Sequence, residues 1–418
     1  MTRFTAAALI STALCSPGFA TEPAEVMVQY ADIAEAAYGD SLTTAKALQA
    51  AVAVLIAAPT HNNLAAAKAA WLAARVPYQQ TEVYRFGNAV VDDWEGRVNS
   101  WPLDEGLIDY VAAGSAANEE NTHAGLNVIA TPRFTLSGIV VDAGTITPDL
   151  IGTILHEADG IEANVASGYH AIEFLLWGQD LNGTGPGAGA RPHTDYLPGN
   201  GCTNGNCDRR AAYLQAATDL LVSDLEDMAA QWAEGGAGRA SVTADADAGL
   251  LALLTGMGSL SYGEQAGERM RLGLMLNDPE EEHDCFSDNT HNSHFYDGLG
   301  IRNVYLGTYT RIDGSLLNGP ALADLVAAAD PAVDARLRAE LDATLYALTE
   351  IKLAAEGGFA YDQMLEAGNK DGEALIMTAV NALVTQTASI ERAVTALGLS
   401  TLGFQGSDSL DNPNAVFQ

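Results

Sequence analysis

Basic side chains are scarce in this sequence, and this limits the partners that the protein can have. Lysine and arginine together number 20, against 54 aspartates and glutamates, and the formal net charge is -34. Nucleic-acid binding depends on a basic surface, so this composition argues against nucleic acid as a partner. An acidic surface instead favours solubility and can attract cations.

Cysteine is equally rare, with four in the whole chain. Cys202 and Cys207 bracket four residues of a loop, and an oxidising compartment favours a disulfide between them. A zinc site is the alternative, but no second Cys or His pair stands at the spacing that zinc requires. Cys285 is left over, either as a buried inert side chain or as part of a site.

Long apolar runs are missing after the N-terminus, so we expect no transmembrane segment. Residues 1–20 have the pattern of a signal peptide: Arg3, an apolar stretch that ends at Leu14, and small residues before cleavage after Ala20. Cys15 follows a leucine rather than a small residue, which argues against a lipoprotein anchor. We therefore expect an exported, periplasmic protein, with association at the outer membrane left open.

Alanine-rich segments with helical periodicity predict an all-α fold of two related helical bundles. The predicted units are a first bundle at 21–182, a glycine-rich linker at 183–207, a second bundle at 208–400 and a loosely held tail at 401–418. Within them we expect a break near Gly39 in the first helix and a connector at 301–320.

An internal correspondence suggests that the two bundles arose by duplication. Glu82-x-x-Arg85-x-Gly in the first half matches Glu268-x-x-Arg271-x-Gly in the second. Each motif falls late in the second long helix of its half.

The stretch Gly168-Tyr-His170-Ala-Ile-Glu173 is the chemically most suggestive part of the chain. On a helix, His170 and Glu173 share one face and can reach a common metal ion or proton. Gly168 allows another backbone or a ligand to approach closely. The alternative is a core histidine that is bonded to its helical neighbour.

A polar stripe precedes this motif on a predicted helix, at Trp71, Arg75, Tyr78, Glu82 and Arg85. Spacings of three or four residues place these side chains on one face. We expect the stripe to line a cleft because it is too polar for ordinary core. A solvated face with aromatic cover is the alternative.

Two further segments are rich in possible ligands. Asp104 lies in an oxygen-rich loop, where helix capping is the alternative role. The segment 280–297 holds three of the eight histidines and contributes Asp288 and His291. His, Asp and Cys are suitable ligands for a transition metal, although an ordinary loop would have a similar composition.

The run from Gly168 to Asp180 resembles the Gly-x-His-x-x-Glu signature of the imelysin family, in its iron-regulated protein A branch. The segments 71–85, 99–110 and 285–291 also resemble that family. The resemblance implies an exported bacterial protein with two helical bundles. It also implies a function in iron acquisition, although the family is catalogued among the metallopeptidases.

We therefore expect a protein that binds iron, or an iron-bearing ligand, in a cleft between two bundles and works with envelope iron-uptake proteins. Zinc or another divalent ion is the alternative metal. The expected metal ligands are His170, Glu173, Glu82 and Asp104. The residues expected around the bound ligand are Arg85, Trp71, Arg75, Gly168, Glu268, Arg271, Asp288 and His291.

The main alternative is a metal-dependent peptidase that uses His170 and Glu173. Such chemistry needs a metal-bound water and a general base. His156-Glu157 lacks the second histidine of the usual zinc motif, and the His170–Glu173 pair leaves no base assigned. We expect peptidase activity to be absent or marginal. An acidic scaffold without a site would not explain polar stripes beside apolar, glycine-bounded helices.

Overall fold

The computed structural model describes residues 21–114, 121–400 and 402–417, so the predicted signal peptide lies outside the described residues. Helices dominate, which confirms the all-α class. The α-helices of the described residues are α1 (Pro23–Ala57), α2 (His61–Gln79), α3 (Ala89–Asn99), α4 (Gly168–Trp177), α5 (Cys207–Trp232), α6 (Ala237–Thr243), α7 (Ala246–Ser259), α8 (Gly273–Leu276), α9 (Thr290–Leu306), α10 (Leu322–Ala329), α11 (Pro331–Glu356), α12 (Tyr361–Leu365), α13 (Lys370–Ala396) and α14 (Asp408–Asp411).

Short elements connect these helices. Two antiparallel hairpins pair β1 (Arg133–Leu136) with β2 (Ile139–Asp142) and β3 (Thr308–Thr310) with β4 (Leu316–Asn318). Leu260–Leu272 is π-helical and continues α7 into α8, and Leu150–Leu155 is a shorter π-helical turn. The 3₁₀ turns are Glu82–Tyr84, Glu105–Leu107, Ala158–Gly160, His193–Tyr196, Gly199–Gly201, Pro279–Glu281, Cys285–Ser287 and Ala415–Phe417.

Helix α1 is continuous, so the predicted break near Gly39 is wrong. Asp40 is buried in the helix, and its carboxylate accepts hydrogen bonds from Arg311 at 2.7 Å and from the Tyr309 hydroxyl at 3.1 Å. These bonds attach the middle of α1 to the β3–β4 hairpin. By length and composition, α1 is the one helix among the described residues that could cross a membrane; here it packs against α2 and α5.

The glycine-rich segment is held against the first half of the chain. Arg191 donates to Asp109 at 2.7 Å, and Arg210 of α5 donates to the same carboxylate. Cys202 and Cys207 are joined in a disulfide at the start of α5. Because α5 then packs along α1, residues 208–232 lie with the first bundle rather than the second.

The second half is built from the π-helical segment, α9, α11 and α13, which pack on one another. Helix α9 and the hairpin after it replace the loop and connector that we expected between 290 and 320. The sequence did not predict α9 because this helix buries polar side chains, including Ser293, His294 and Asp297, which interrupt the apolar periodicity of a helix. The tail is also better held than expected, since the Phe404 ring packs directly over Gly258.

The structure bears on the duplication only indirectly. Glu82 is buried in a 3₁₀ turn, whereas Glu268 is exposed on the π-helical segment, so these two positions differ in environment. A second pair of positions in the two halves does have the same environment. His294 and Asp297 lie three residues apart near the start of α9 and are fully buried, as His170 and Glu173 are in α4. The duplication itself stays a prediction.

Gly168 fixes the junction of α3 and α4. Its φ is +80°, and an added Cβ would overlap the carbonyl group of Val98 at the end of α3. Glycine avoids both the left-handed strain and the collision. The close approach that the sequence suggested is therefore made by backbone.

We expect Gly168→Ala to destabilise the protein by about 1–3 kcal/mol more than Gly235→Ala, because an overpacked site adds to the backbone strain. Gly235 is the matched control, since its φ is +85° and nothing lies within 4 Å of an added Cβ. Urea unfolding of the two variants measures the difference. Equal losses would show that the Val98 contact is not tight.

Candidate functional site

Glu173 holds one side of the His170 ring. His170 Nδ1 lies 3.1 Å from Glu173 Oε2, and both side chains are completely buried. Glu173 Oε1 accepts hydrogen bonds from the Ser287 backbone N–H at 2.9 Å and from its hydroxyl at 2.6 Å. The carboxyl is therefore fixed from two directions, while His170 Nε2 is buried without a hydrogen-bond partner.

His283 and Asp284 complete a compact group with His170. One potential ligand atom from each of the three lies within 4.8 Å of the other two, and no other such group occurs in the described part of the chain. The rings of His170 and His283 are 4.9 Å apart. The group combines α4 of the first half with the segment that precedes α9 in the second.

Arg75 binds this group to α2. Its guanidinium donates to Asp284 Oδ1 at 2.8 Å and to Asn99 Oδ1 at 2.6 Å. Asn99 Nδ2 in turn lies 3.4 Å from His283 Nε2. The second oxygen of Asp284 accepts from Asn289 and Ser293. Arg75 thus orients the carboxylate and, through Asn99, one of the imidazoles.

Burial sets the protonation states of the group. Burial and the nearby charge of Arg75 lower the pKa of His170 to about 3, and burial lowers the pKa of His283 as well. Burial opposes the ionisation of Asp284, but the charge of Arg75, the interaction with His170 and the hydrogen bonds from Ser293 and Asn289 together outweigh it and lower the pKa of that carboxyl. Neutral imidazole and ionised carboxylate are the forms that bind metals.

Glu173 behaves differently. Burial, followed by the charge of Asp284, raises its pKa well above the ordinary value. Burial therefore favours the protonated form of the Glu173 carboxyl.

A cleft of about 640 Å³ opens onto this group. His283, Asn99 and Trp101 form part of its wall, and the Trp101 ring lies 5.0 Å from the His170 ring. Seven acidic residues and two arginines line the cleft: Asp92, Glu95, Glu157, Glu162, Glu264, Glu268, Glu281, Arg85 and Arg269. Such an excess of carboxylates raises the local concentration of cations.

The two arginines of the cleft are both paired. Arg269 donates to Glu82 at 2.6 Å and Glu264 at 2.9 Å, and it lies 3.1 Å from Asp297. Arg85 lies 3.6 Å from Glu264 as well. This network joins the polar stripe of the first half to the second half, and it holds Glu82 away from the group around His170.

The predicted residues therefore occupy different environments. His170 belongs to the compact group, Arg75 and Glu173 contact it directly, and Arg85 and Glu268 line the cleft. The packing residues are Gly168, described above, and Trp71, whose indole N–H donates to the Tyr169 carbonyl. The residues that lie outside the compact group are Glu82, Asp104, Arg271, Asp288 and His291.

Asp104 lies in a loop outside the compact group. Its backbone N–H donates to the Ala163 carbonyl, and its carboxylate accepts a hydrogen bond from Asn121. Arg271 lines a separate surface groove with Glu366 and Glu373. His291 bonds to Asn292 beside Lys352, likewise outside the compact group.

Sequence reasoning missed His283, Asp284, Asn99 and Ser287. The first two stand in the histidine-rich segment that we singled out, but the pattern there did not distinguish them from Asp288 and His291. The adjacent His-Asp pair was the available signal. The pair is distinguished from its neighbours only by its contacts with α2 and α4, which are remote from it in sequence.

Comparison with known proteins agrees with this architecture. The family model for imelysin, peptidase family M75, matches residues 34–390. The chain belongs to the imelysin family. An iron-regulated protein A from Synechococcus elongatus is 36% identical over 72 residues, which are 17% of this chain and 20% of that relative.

Two solved structures share the imelysin fold with this chain. One is an iron-regulated protein A precursor from Parabacteroides distasonis, with a TM-score of 0.64 and 20% identity over 91% of this chain and 97% of that one. The other is an imelysin-like protein from Psychrobacter arcticus, with a TM-score of 0.56 and 16% identity over 92% and 99%. At these identities the likeness establishes the fold alone.

We expect Arg75→Met to destabilise this imelysin-family protein by about 3–5 kcal/mol, because Asp284 would remain buried without its counter-charge. Lys46→Met is the control. Lys46 pairs with Glu226 at the surface, where both side chains are about half exposed, and such pairs contribute about 0–1 kcal/mol. Chemical unfolding of both variants provides the comparison, and similar small losses would mean that the buried pair is dispensable.

Glu95 should make stability depend on pH. Burial, followed by the charge of Glu82, raises its pKa to about 7 from an ordinary value of 4.5. The folded state then retains a proton that the unfolded state releases between these values, so stability decreases as the pH rises through this window. Glu95→Gln removes the titrating carboxyl and with it this loss of stability. The melting temperature of the variant should therefore rise relative to that of the wild type as the pH increases from 4.5 to 7.

Thermal unfolding across that range tests the effect, with Glu373→Gln as an exposed control for the loss of one carboxyl. A difference that is constant with pH would contradict the assignment to Glu95.

Proposed function

We propose that this protein binds ferrous iron as its cargo at His170, His283 and Asp284, and that it serves iron acquisition in the cell envelope. One observation supports this most directly. His170 Nε2 is a buried imidazole nitrogen without a hydrogen-bond partner, in a ring that lies 4.9 Å from the His283 ring and whose Nδ1 is 3.8 Å from Asp284 Oδ1. A buried polar atom of this kind needs a partner, and a bound cation would supply one.

The donor set indicates the class of cation. Two histidines and one carboxylate are characteristic of non-haem ferrous sites, whereas calcium and magnesium prefer oxygen ligands. Zinc also accepts histidine and carboxylate ligands, so it is the principal competitor. Of iron and zinc, iron is favoured by the names of the related iron-regulated proteins.

Glu173 has a supporting role in this proposal. Its contact with His170 Nδ1 would orient the imidazole so that Nε2 is available to the ion. Ser287 fixes the carboxyl in place through two hydrogen bonds. We therefore assign Glu173 to the positioning of His170, instead of direct ligation.

The cleft favours a free cation over an anionic chelate. Its acidic residues would attract iron and repel a negatively charged complex. Arg85 and Arg269 are both engaged by carboxylates, so neither offers an uncompensated positive charge to such a ligand.

The cellular setting follows from two features of the chain. A disulfide between Cys202 and Cys207 suits an oxidising compartment, and the N-terminal sequence has the pattern of an export signal. We therefore place the function in the periplasm, where partner proteins of iron uptake would deliver or receive the ion.

The peptidase alternative has no comparable support. Both oxygens of Glu173 are engaged, Oε1 by hydrogen bonds from Ser287 and Oε2 by His170 Nδ1 at 3.1 Å, so the carboxyl is not free to act as a general base.

Calorimetric titration of the mature protein with ferrous iron, without oxygen, tests the proposal. We expect one site, with at least tenfold weaker binding in His170→Ala and in His283→Ala. Glu173→Gln should weaken binding by about 10–100-fold, as the loss of a ligand-orienting contact does. His61→Ala is the control, because His61 is an exposed residue at the start of α2.

Two controls make the outcome decisive. Circular dichroism must show that each variant is folded, and a parallel titration with zinc establishes whether iron is preferred. Ferrous binding that is equal in His170→Ala and His61→Ala would refute the proposed site.

A further inference from the structure

A second cavity, of about 320 Å³, lies at the C-terminal end of α4. We call it the arginine cavity, because Arg191 is the only charged residue among the described residues that line it, and no aspartate or glutamate is among them. The wall is mainly apolar and includes Tyr110, Trp177, Leu181 and Ala188. In a chain of net charge -34, a cavity wall without a carboxylate does not favour a cation.

Two aromatic rings and two carboxylates hold the Arg191 guanidinium in place. The guanidinium lies over the rings of Tyr110 and Phe174, at 4.9 and 5.2 Å from their centroids. Its Nη1 donates to Asp109 Oδ2 at 2.7 Å and to Asp195 Oδ2 at 3.2 Å. The orientation of the group is therefore fixed by the protein alone.

The other edge of the same guanidinium has no protein partner. Nε and Nη2 of Arg191 are buried, and neither makes a hydrogen bond within the described part of the chain. These two N–H groups are parallel in the rigid guanidinium, and together they form the pair of donors with which arginine binds a carboxylate bidentately. Buried donors without acceptors are costly, and a ligand that accepts from both would remove this cost.

Gly178 lines the cavity beside this edge. The Arg191 backbone N–H donates to the Trp177 carbonyl at 2.7 Å, which attaches the arginine to the end of α4. A Cβ added at Gly178 would lie 3.7 Å from Arg191 Nε, and the φ of this glycine is +74°. Because glycine ends the helix here, no side chain at this position fills the space next to Nε.

A second cation lies close to the same wall. Lys68 Nζ is 4.9 Å from the centroid of the Trp177 ring, and it makes no salt bridge with a carboxylate of the described residues. Burial and then the charge of Arg191 lower the pKa of Lys68 to about 8. A bound anion would relieve the repulsion between these two cations.

The carboxylates that hold Arg191 do not cancel the positive charge at the cavity. Arg210 donates from Nε and Nη2 to both oxygens of Asp109, so that carboxylate is already compensated. Asp109 and Asp195 thus stand against three cations, Arg191, Arg210 and Lys68. The local balance is positive, in contrast to the acidic cleft.

We propose that the arginine cavity binds the carboxylate of an organic acid that has an apolar body. The carboxylate accepts from Nε and Nη2 of Arg191, and the aromatic and aliphatic wall holds the body. The volume is at the small end of ligand pockets, so it suits a body of the size of one aromatic ring. The cavity shares no lining residue with the acidic cleft, and the proposal does not depend on iron binding.

Calorimetric titration of the mature protein with sodium 3-phenylpropionate tests this inference. We expect one site with a Kd on the order of 10⁻⁴ M, well within the bound for a ligand of about eleven non-hydrogen atoms. Acetate lacks the apolar body and 3-phenylpropionamide lacks the charge, so each should bind at least about tenfold more weakly. Equal binding of the acid and the amide would overturn the proposal.

A further titrant distinguishes two sources of the same chemistry. N-acetyl-alanyl-phenylalanine presents the carboxylate at the end of a peptide chain, whereas 3-phenylpropionate is a free small acid. Tighter binding of the peptide would assign the cavity to chain ends, and tighter binding of 3-phenylpropionate would assign it to free acids. Both results support a carboxylate site, and the absence of binding by either titrant would refute it.

Variants of the two cations test the residues that we assign. Arg191→Lys keeps the charge but loses the parallel donors, so it should weaken 3-phenylpropionate binding at least about tenfold. Lys68→Met should weaken binding about two- to fivefold, as the loss of a partly exposed charge does. Lys46→Met is the matched control, since Lys46 pairs with Glu226 at the surface and does not line the cavity. Equal affinities in Arg191→Lys and Lys46→Met would contradict the site.

Ala188→Leu keeps the test decisive if Arg191→Lys does not fold, because it leaves the polar contacts of Arg191 in place. Leucine at this position of the wall takes up part of the cavity, and binding should weaken at least about fivefold. Ala335→Leu, at an exposed position of α11, should leave the affinity unchanged. Circular dichroism confirms that each variant is folded. Unchanged affinity in both Ala188→Leu and Lys68→Met would place the ligand elsewhere and overturn the proposal.

Discussion

The buried ion pair between Arg75 and Asp284 is the interaction on which the arrangement of the site depends. Arg75 belongs to α2 in the first half, and Asp284 precedes α9 in the second. Two charges removed from water are tolerated when they are paired and supported by further hydrogen bonds, and Asn99, Asn289 and Ser293 supply such bonds here. The pair thus fixes the loop of the second half against the helix of the first.

The position of His283 follows from that constraint. Because Asp284 is held by Arg75, the preceding residue lies opposite His170, and Asn99 bridges from Arg75 to its ring. Glu173 and Ser287 complete the connection from α4 to the same loop. A site assembled in this way depends on both halves, which explains why neither half contains the whole donor set.

The charge around the compact group is balanced. The donors around His170 are imidazoles and one carboxylate, and Arg75 compensates that carboxylate. Arg269 likewise compensates the buried Glu82 nearby. A donor set of this kind suits a transition-metal ion better than a hard ion such as calcium.

The sequence by itself determined the helical class, the disulfide and the first pair of site residues. Each depends on local relations: apolar periodicity, a short cysteine spacing, and the three-residue spacing from His170 to Glu173 on one helix. It did not reveal α9, whose polar residues hide its periodicity, or the partnership of His170 with His283 and Asp284. Only the tertiary structure decided these two features. The role of a polar side chain depends on packing, because packing determines whether water or a distant helix surrounds it.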